Sequence, residues 1–358
     1  MKKIVCLIEN LGAGGAERQI SYLAVLLRQQ GYDVEVWYYI KREFHLSYLQ
    51  ENGVSVRFIQ GAESLKNRFR AIKQLIASNK PDTIISYSAS TSIIACALKL
   101  LGNNFNLIVS ERSTTQNLSL RDRIRFIAYR WADYIVPNSF SQASYIEAHF
   151  KNLSKKIKVI TNFIDIKTFV PKAKNNTQLK TTNIICVGRL VPAKNIPIFI
   201  DAINKIVADG YDIVVDWFGQ QTNNKEYAAL CFSKVKQYNL DNIFIFHEAC
   251  EDIASQYQAA DIFCMPSIYE GFPNVLCEAM SCGLPVVCSN VSDVKNIMES
   301  NINGYLFNPN DVNDMTATIK RILQISKEER KKMSLHSRKL AEEHFSTDFF
   351  IAKYKEII

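Results

Sequence analysis

Two glutamates with seven residues between them form the segment of this 358-residue chain that is best suited to binding a ligand. Glu270 follows a short apolar run, 261–267, that predicts a buried strand, and Glu278 lies in a predicted helix that begins at Pro273. Asn274 and Glu278 then share one helix face. In parallel sheets, ligands bind beyond the carboxyl ends of the strands, where a helix N-terminus attracts anions. The spacing indicates a site for a diphosphate, although two arbitrary glutamates are more often solvated.

A second segment places two cations after another predicted strand. The apolar run Ile184–Val187 is followed by Gly188, Arg189 and Lys194, and then by a predicted amphipathic helix. Arginine offers a planar fork to phosphate oxygens and lysine a mobile point charge, so the pair can hold a leaving diphosphate without a metal. Because a surface arginine and lysine taken alone are usually solvated, the two segments indicate the site only together.

Together, these segments resemble the retaining GT-B glycosyltransferases of family 4, and the resemblance extends from Gly12 to about Pro309. It implies an α/β fold of two Rossmann-like domains, each a doubly wound parallel sheet, facing each other across a cleft. It also implies a same-face mechanism in which the departing phosphate helps to deprotonate the acceptor. No D-x-D triplet occurs in the chain, and we expect no metal and no other cofactor.

The resemblance implies a role for each residue of the two segments. Arg189 and Lys194 are similar to the pair that binds the donor diphosphate, and Glu278 to the carboxylate that accepts the ribose hydroxyls. Glu270 resembles the acidic residue that faces the transferred sugar. We therefore expect Glu270, Arg189 and Lys194 to be catalytic. The further candidate substrate contacts in this half of the chain are Gly188, Gly219, Gly271, Phe272, Pro273 and Asn274.

A glycine-rich turn near the N-terminus gives two more candidates. The segment 11–17, Leu-Gly-Ala-Gly-Gly-Ala-Glu, follows a predicted strand and leads into a helix, and glycine lets a backbone approach a ligand closely. The dinucleotide-binding pattern G-x-G-x-x-G needs glycine where Glu17 stands, so a dehydrogenase is disfavoured. In the resembled family this loop faces the donor, which makes Gly14 and Gly15 candidate substrate contacts. A tight strand-to-helix turn explains these glycines nearly as well.

The chain also departs from the family pattern. His247 and Glu248 stand where many members have a glycine near the nucleobase, which leaves the base open. Gln220 and Gln221 follow Gly219 where a second glycine is usual, which predicts a narrower diphosphate loop.

The chain also differs from the family pattern at the end of the fifth predicted strand. Some members have a histidine beside the donor sugar at this place. This chain has the segment 110–113, Ser-Glu-Arg-Ser, instead. Glu111 and Arg112 resemble the surface-polysaccharide branch of the family, and they are candidate contacts to acceptor or donor.

Composition and cysteine usage indicate a cytoplasmic protein with two folded domains. Apolar residues make up 47% of the chain, enough to fill two cores. The nine cysteines are odd in number and lack C-x-x-C pairs, as expected of reduced core cysteines. Glu9 interrupts the apolar run after the Met-Lys-Lys start, so no secretion signal is predicted. No apolar run is long enough to predict a membrane span.

Positive charge is concentrated in the first half of the chain. Residues 1–165 hold 22 Lys and Arg against 13 Asp and Glu, whereas the remainder holds 21 against 22. Within this half, residues 65–76 predict an amphipathic helix. Its apolar stripe comprises Leu65, Phe69, Ile72 and Ile76, and its cations are Lys66, Arg68, Arg70 and Lys73. Such a helix can lie on an anionic membrane, although a solvated helix that covers its own sheet is slightly favoured. Nucleic acid is disfavoured because no recognition motif appears.

Predicted strands and helices alternate twice along the chain, which indicates two parallel sheets with helices on both faces. The predicted strands are 3–8, 33–39, 54–59, 83–86, 106–110, 133–137 and 157–160, then 184–187, 213–218, 243–246, 261–265, 285–288 and 305–307. We expect an N-terminal, acceptor-side domain of residues 1–168 and 340–358, in which the last helix, about 340–358, packs back. A nucleotide-sugar-binding domain is expected at 180–338, after a polar linker at 172–182.

The sequence therefore predicts a cytoplasmic glycosyltransferase that lies peripherally on the inner face of the cell membrane. It is expected to move a hexose or N-acetylhexosamine, with retention, from a nucleotide sugar to a lipid-linked glycan in surface-polysaccharide biosynthesis, and UDP is the favoured nucleotide. Its expected partners are the nucleotide sugar, the lipid-linked acceptor and an anionic membrane surface. A GT-B UDP-sugar epimerase and a non-catalytic subunit of a transferase pair remain alternatives. Donor-dependent release of UDP would separate them.

Overall fold

The chain forms two compact units, described by a computed structural model for residues 1–112, 115, 118–172, 181–220 and 224–358. One unit comprises Met1–Phe163 and Thr347–Ile358, and the other comprises Ile164–Ser346. The sequence placed these boundaries at 168, 180 and 338–340. The linker expected at 172–182 lies mostly outside the described residues, as does Gln221.

One backbone hydrogen bond and two from an arginine side chain explain why the second unit begins as early as Ile164. The Ile164 N–H donates to the Phe345 carbonyl at 2.7 Å. The Arg338 guanidinium donates to the carbonyls of Ile166 and Phe169 at 3.2 and 2.8 Å. These bonds attach the segment that follows Phe163 to the second unit.

Six parallel strands form the sheet of the first unit, in the order β3-β2-β1-β4-β5-β6. The strands are β1 (Lys3–Leu7), β2 (Asp33–Tyr38), β3 (Ser55–Phe58), β4 (Thr83–Ser86), β5 (Asn106–Glu111) and β6 (Tyr134–Pro137). The helices are α1 (Gly15–Gln29), α2 (Leu46–Glu51), α3 (Leu65–Asn79), α4 (Ala89–Leu100), α5 (Leu120–Ala128) and α6 (Phe140–His149). The sheet is covered on both faces, which is why its strands read as nearly continuous apolar runs.

A second six-stranded parallel sheet forms the other unit, in the order β12-β11-β10-β7-β8-β9. Its strands are β7 (Thr182–Val187), β8 (Ile213–Phe218), β9 (Phe244–His247), β10 (Ile262–Met265), β11 (Val286–Ser289) and β12 (Gly304–Phe307). Its helices are α7 (Ile196–Ala208), α8 (Lys225–Gln237), α9 (Ile253–Ala259), α10 (Asn274–Ser281), α11 (Val294–Ile297), α12 (Val312–Gln324) and α13 (Lys327–Phe345). The last helix, α14 (Thr347–Lys355), belongs to the first unit. The two doubly wound parallel sheets predicted from the sequence are confirmed.

Two predicted elements were wrong in detail. The strand expected at 157–160 is only an isolated bridge between Ile135 and Ile157, because the N–H groups of this segment make just two backbone bonds to β6, to the carbonyls of Ile135 and Pro137. The single last helix expected at about 340–358 is interrupted at Ser346, whose backbone is extended (φ −67°, ψ 155°). Residues 340–345 therefore continue α13.

Candidate functional site

The loops after β7 and β10 meet where the strand order of the second sheet reverses. The two strands are neighbours, with Ile262 paired to Ile184, but α7 packs on one face of the sheet and α10 on the other. The Ile268 N–H donates to the Ala193 carbonyl at 2.8 Å and joins the loops directly. In doubly wound sheets, ligands bind in the crevice at such a switch point. The two segments singled out from the sequence therefore converge at one site.

Lys194 and Glu270 form an ion pair at this point, with 2.6 Å between Nζ and Oε1. The same Glu270 oxygen accepts a hydrogen bond from Ser267 Oγ at 2.6 Å, and the Glu270 N–H donates to Ser292 Oγ at 3.1 Å. Both charged side chains are mostly buried. The sequence assigned them to different parts of a ligand, whereas the structure pairs them with each other.

The local sequence explains how Lys194 reaches this position. Pro192–Lys194 form one turn of 3-10 helix, in which proline takes the first position and costs no hydrogen bond. Asn195 follows in the left-handed conformation (φ 57°), which asparagine tolerates better than most residues. Its side-chain amide donates to the Pro309 carbonyl at 2.7 Å and fixes the end of the turn.

Arg189 lies exposed at the end of β7. Among the described residues, no acidic side chain forms an ion pair with Arg189, in contrast to Lys194. A Cβ at the preceding Gly188 would come within 2.8 Å of Lys194 Cε. A glycine at this position therefore lets the lysine side chain lie against the backbone, beside the arginine.

Glu278 is buried in α10, in which Leu276 and Met280 pack into the core. The Tyr257 hydroxyl donates to Glu278 Oε2 at 3.3 Å. Burial, and then the charge of Glu278, raise the pKa of Tyr257 well above its ordinary value, so the phenol remains the donor. Sequence spacing gave no signal for Tyr257 or Ser292, because they reach the site only through the fold, and it gave no role to Ser267, although this residue lies only three positions before Glu270.

The loop before α10 has some of its backbone donors engaged already. Pro273 precedes the helix, and the Asn274 N–H donates to the Phe272 carbonyl at 3.0 Å. Gly271 is partly exposed, and Phe272 is buried against Phe345. Predicted as the first helical residue, Pro273 instead lies one position before α10.

Gly219 ends β8 directly against Gly188. A Cβ at position 219 would lie 2.0 Å from the Gly188 carbonyl oxygen and 2.5 Å from its carbon. Trp217 Nε1 donates to the same oxygen at 2.8 Å, and the Gly219 N–H donates to the His247 carbonyl at 3.1 Å. The ends of β7, β8 and β9 can meet here only without a side chain on Gly219.

We expect Gly219→Ala to destabilise the second unit and to weaken nucleotide binding, because neither backbone atom that the new methyl group meets can move independently of its strand. Overpacking of this kind typically costs about 1–3 kcal/mol. Gly15→Ala is the control for stability, since a Cβ there meets nothing within 4 Å. Thermal unfolding and UDP titration measure the two effects. A Gly219→Ala variant with the melting temperature of the Gly15→Ala variant would contradict the steric argument.

His247 carries a fixed ring at the position where many family members have glycine. Its imidazole stacks on Phe218, with ring centroids 4.4 Å apart and an interplanar angle of 12°. Its Nε2–H donates to Asp216 Oδ1 at 2.7 Å. The end of β9 therefore carries a fixed imidazole at a position where a glycine would leave the backbone exposed.

Gly14 and Gly15 lie at the start of α1, where Gly14 is the N-cap residue without a side-chain cap. Neither glycine has a positive φ. A Cβ at Gly14 would meet the flexible carboxylate of Glu17, whereas a Cβ at Gly15 meets nothing within 4 Å. The turn itself therefore does not require glycine at position 15, and the ligand contact expected there stays a prediction.

Glu111, at the end of β5, is buried, and side chains of the same unit contact both of its carboxylate oxygens. The Tyr129 hydroxyl donates to one carboxylate oxygen, and Arg125 Nη1 lies 3.5 Å from the other. Burial raises the pKa of Glu111, and the charge of Arg125 opposes this rise. A direct contact between Glu111 and a substrate would require this cluster to open.

Arg112 is engaged by four hydrogen bonds within the first unit. Its acceptors are Ser110 Oγ, Asn162 Oδ1 and the hydroxyls of Tyr87 and Tyr354, at 2.6–3.0 Å. Tyr354 belongs to α14, so the guanidinium fastens the last helix to the end of β5. Ser113, the other end of this predicted segment, lies outside the described residues.

Two family descriptions match this chain. Glycosyl transferases group 1 matches residues 170–340, and Glycosyltransferase Family 4 matches residues 13–168. Together the two matches span most of the chain: the first includes all strands of the second sheet, and the second includes all strands of the first sheet except β1. The chain belongs to the GT-B glycosyltransferases of family 4.

Relatives along the whole chain agree with this assignment. An N-acetylgalactosamine-N,N'-diacetylbacillosaminyl-diphospho-undecaprenol 4-alpha-N-acetylgalactosaminyltransferase of Campylobacter jejuni is 25% identical over 352 residues, 91% of this chain and 92% of the relative. A second transferase of C. jejuni, an alpha-1,4-N-acetyl-D-galactosaminyltransferase acting on a GalNAc-alpha-(1->4)-GalNAc-alpha-(1->3)-diNAcBac-PP-undecaprenol, is 26% identical over 87% of this chain and 86% of its own.

Solved structures give the same fold. The crystal structure of Anabaena Alr3699/HepE in complex with UDP has a TM-score of 0.86 and 19% identity, with 99% of each chain covered. The fold class and the enzyme class predicted from the sequence, GT-B and glycosyltransferase, are confirmed.

Proposed function

We propose that this glycosyltransferase moves a hexose or N-acetylhexosamine from a UDP-linked donor to a lipid-linked glycan in surface-polysaccharide biosynthesis, with retention of configuration. The C. jejuni relatives are named for undecaprenol-diphosphate-linked substrates, and the Anabaena protein of similar fold binds UDP. The observation that carries the proposal is the Lys194–Glu270 pair at the switch point, beside exposed Arg189.

The cations stabilise the leaving group. Negative charge gathers on the diphosphate as the glycosidic bond breaks, and groups already positioned there stabilise the transition state more than the ground state. Arg189 is exposed for this contact, whereas Lys194 must exchange its Glu270 partner for a phosphate oxygen. Binding of the donor then releases Glu270 toward the sugar hydroxyls while Ser267 still holds one carboxylate oxygen.

Glu270 fits a positioning role better than a nucleophilic one. After Lys194 has moved to the phosphate, Glu270 Oε1 still accepts from Ser267 Oγ, and this bond disperses negative charge that an attack on the anomeric carbon would need. A double displacement through Glu270 is therefore disfavoured. We propose instead that the acceptor oxygen bonds to the anomeric carbon on the face from which the phosphate oxygen departs. The departing phosphate takes the acceptor's proton.

The loop before α10 offers backbone N–H groups to the nucleotide sugar. Pro273 has no N–H, and the N–H groups of Glu270 and Asn274 already donate within the second unit. We therefore propose that the N–H groups of Gly271 and Phe272 bind the sugar hydroxyls and phosphate. Glu278, which accepts a hydrogen bond from the Tyr257 hydroxyl, also accepts hydrogen bonds from the ribose hydroxyls.

The enzyme is proposed to act at the cytoplasmic face of a membrane, because a lipid-linked acceptor is anchored there. Over the part of the chain that the structure describes, no helix is both long and apolar enough to cross a bilayer. Peripheral attachment is proposed from the acceptor and from the excess of positive charge in residues 1–165.

A screen of nucleotide sugars tests this function. UDP-sugars should raise the melting temperature, since a ligand at a hundredfold its dissociation constant adds about 2.7 kcal/mol to stability. With a lipid-linked acceptor, the matching donor should release UDP. Interconversion of the sugar without UDP release would indicate an epimerase, and binding without turnover would indicate a non-catalytic subunit.

Chelation with EDTA should leave this UDP release unchanged, because two cationic side chains are proposed to neutralise the diphosphate. Across the described ranges, no group of three or more His, Cys, Asp or Glu side chains is arranged to hold a metal ion. The measurement compares turnover before and after chelation. A strict requirement for a divalent ion would contradict the metal-independent mechanism.

A further inference from the structure

Helices α3, α4 and α5 lie on the same face of the first sheet. All three contribute to one hydrophobic cluster, through Ile72 and Ile76 of α3, Ile94 of α4 and Phe126 of α5. Because their inner sides are buried in this cluster, the residues that these helices expose form the outer surface of the layer.

The exposed stripe of α5 is apolar. Leu120, Ile124 and Ile127 recur at helical spacing and are 74%, 52% and 45% exposed, whereas Arg125 and Phe126 face inward. Solvent-facing stripes of surface helices are normally polar. The helix is well formed, since Ser119 and Asp122 make a reciprocal capping box at its start. The apolar exposure is therefore a property of a folded helix and not of a frayed end.

The end of α4 is also apolar and exposed. Leu100 and Leu101 are 55% and 60% exposed, and α4 packs against α5. On its other side, α4 borders α3 across a groove of about 690 Å³. Leu65, Phe69 and Ile93 line this groove, together with the cations Lys66, Arg70 and Lys73.

The membrane stripe expected on α3 alone is corrected by these contacts. Ile72 and Ile76 are buried against their own sheet, which was the alternative left open by the sequence. Arg68 is not available to a membrane either. Its guanidinium donates to the Ala62 carbonyl and to Ser90 Oγ, and it stacks over Tyr39 at 3.9 Å. The sequence of α5 itself gave no signal for this surface.

We propose that the outer surface of α3, α4 and α5 docks onto an anionic phospholipid bilayer. Leucine and isoleucine side chains of α4 and α5 enter the interfacial region, and the surrounding cations meet lipid phosphates. Exposed Arg121, Arg123 and Arg130 flank the α5 stripe, as Lys66, Arg70 and Lys73 flank the groove. A second copy of this chain would bring like charges together, so charge complementarity selects the lipid surface. This inference rests on the proposed function only for the reason to dock, which is access to a lipid-linked acceptor. The attraction of the surface to anionic lipid does not depend on that acceptor.

Cosedimentation of the full chain with vesicles tests this surface. The probe is phosphatidylcholine with about 30% phosphatidylglycerol, compared with phosphatidylcholine alone. Changing Leu120, Ile124 and Ile127 together to Ser should reduce vesicle affinity at least about tenfold, since burial of each side chain is lost. Changing Lys66, Arg70 and Lys73 to Gln should reduce it about fivefold per cation, and high salt should weaken parent binding similarly.

The matched control changes three exposed apolar residues of the second unit, Leu230, Ile302 and Leu335, to Ser, and it should bind vesicles like the parent. Each variant should keep its UDP-dependent thermal stabilisation, which reports on the nucleotide site and on folding. Equal sedimentation of the parent and of the variant with Ser at 120, 124 and 127 would overturn the docking surface. A parent that is dimeric in solution, with a dimer that this variant abolishes, would overturn it too. Absence of donor turnover in a parent that binds vesicles would count against the proposed function alone.

Discussion

Replacing Arg189 by alanine should lower turnover about 100-fold or more, and Lys194→Ala should do the same. Removing one preorganised group that meets developing charge typically costs about 3–4 kcal/mol of transition-state stabilisation. The two variants should differ in stability. Arg189 is exposed at the end of β7, whereas Lys194→Ala leaves the mostly buried Glu270 carboxylate without its cation. Turnover with saturating donor, together with thermal unfolding, measures both effects.

Lys234→Ala is the matched control for the loss of a lysine from an ion pair. Lys234 Nζ lies 2.7 Å from Asp201 Oδ2, a pair in the same unit but between α8 and α7. This variant should keep parental turnover. Unchanged turnover in both Arg189→Ala and Lys194→Ala would remove the diphosphate assignment from this loop.

The strands were predictable because their apolar runs are local in sequence. A strand buried on both faces of a parallel sheet is apolar at nearly every position, and Ile184–Val187 and Ile262–Met265 both show this. The cationic and acidic segments could also be placed, since each follows such a run. The Lys194–Glu270 ion pair could not, because the partners are 76 positions apart and meet only through the adjacency of β7 and β10.

Amphipathic patterns were less informative about surfaces. A helical stripe shows which residues share a face, but it does not show what that face packs against. On α3 the apolar stripe covers its own sheet through Ile72 and Ile76, whereas on α5 Leu120 and Ile124 face solvent. The difference depends on the orientation of each helix over the sheet. Glu111 shows the same limit, since its burial under Tyr129 and Arg125 comes from tertiary packing.

The two glutamates of the site should separate in their effects on nucleotide and on sugar. Glu278→Gln should weaken the binding of donor and of free UDP alike, because a charge-assisted contact to the ribose is lost, worth about 1.5–3 kcal/mol. Tyr257→Phe is its control, since this change removes the hydroxyl that donates to Glu278 Oε2 but keeps the carboxylate. We expect the control to bind UDP more tightly than Glu278→Gln does.

Glu270→Gln should instead spare UDP affinity and cut sugar transfer. A glutamine keeps the shape of the side chain and can still accept from Ser267 Oγ, but it no longer holds Lys194 as an ion pair. Lys194 is then free to meet the diphosphate, so UDP loses nothing, whereas the sugar loses its charged hydrogen-bond acceptor. Calorimetric titration with UDP and single-turnover transfer measure the two properties separately. Equal losses of UDP affinity in Glu270→Gln and Glu278→Gln would show that the two carboxylates act on the nucleotide together, and the division of roles would be wrong.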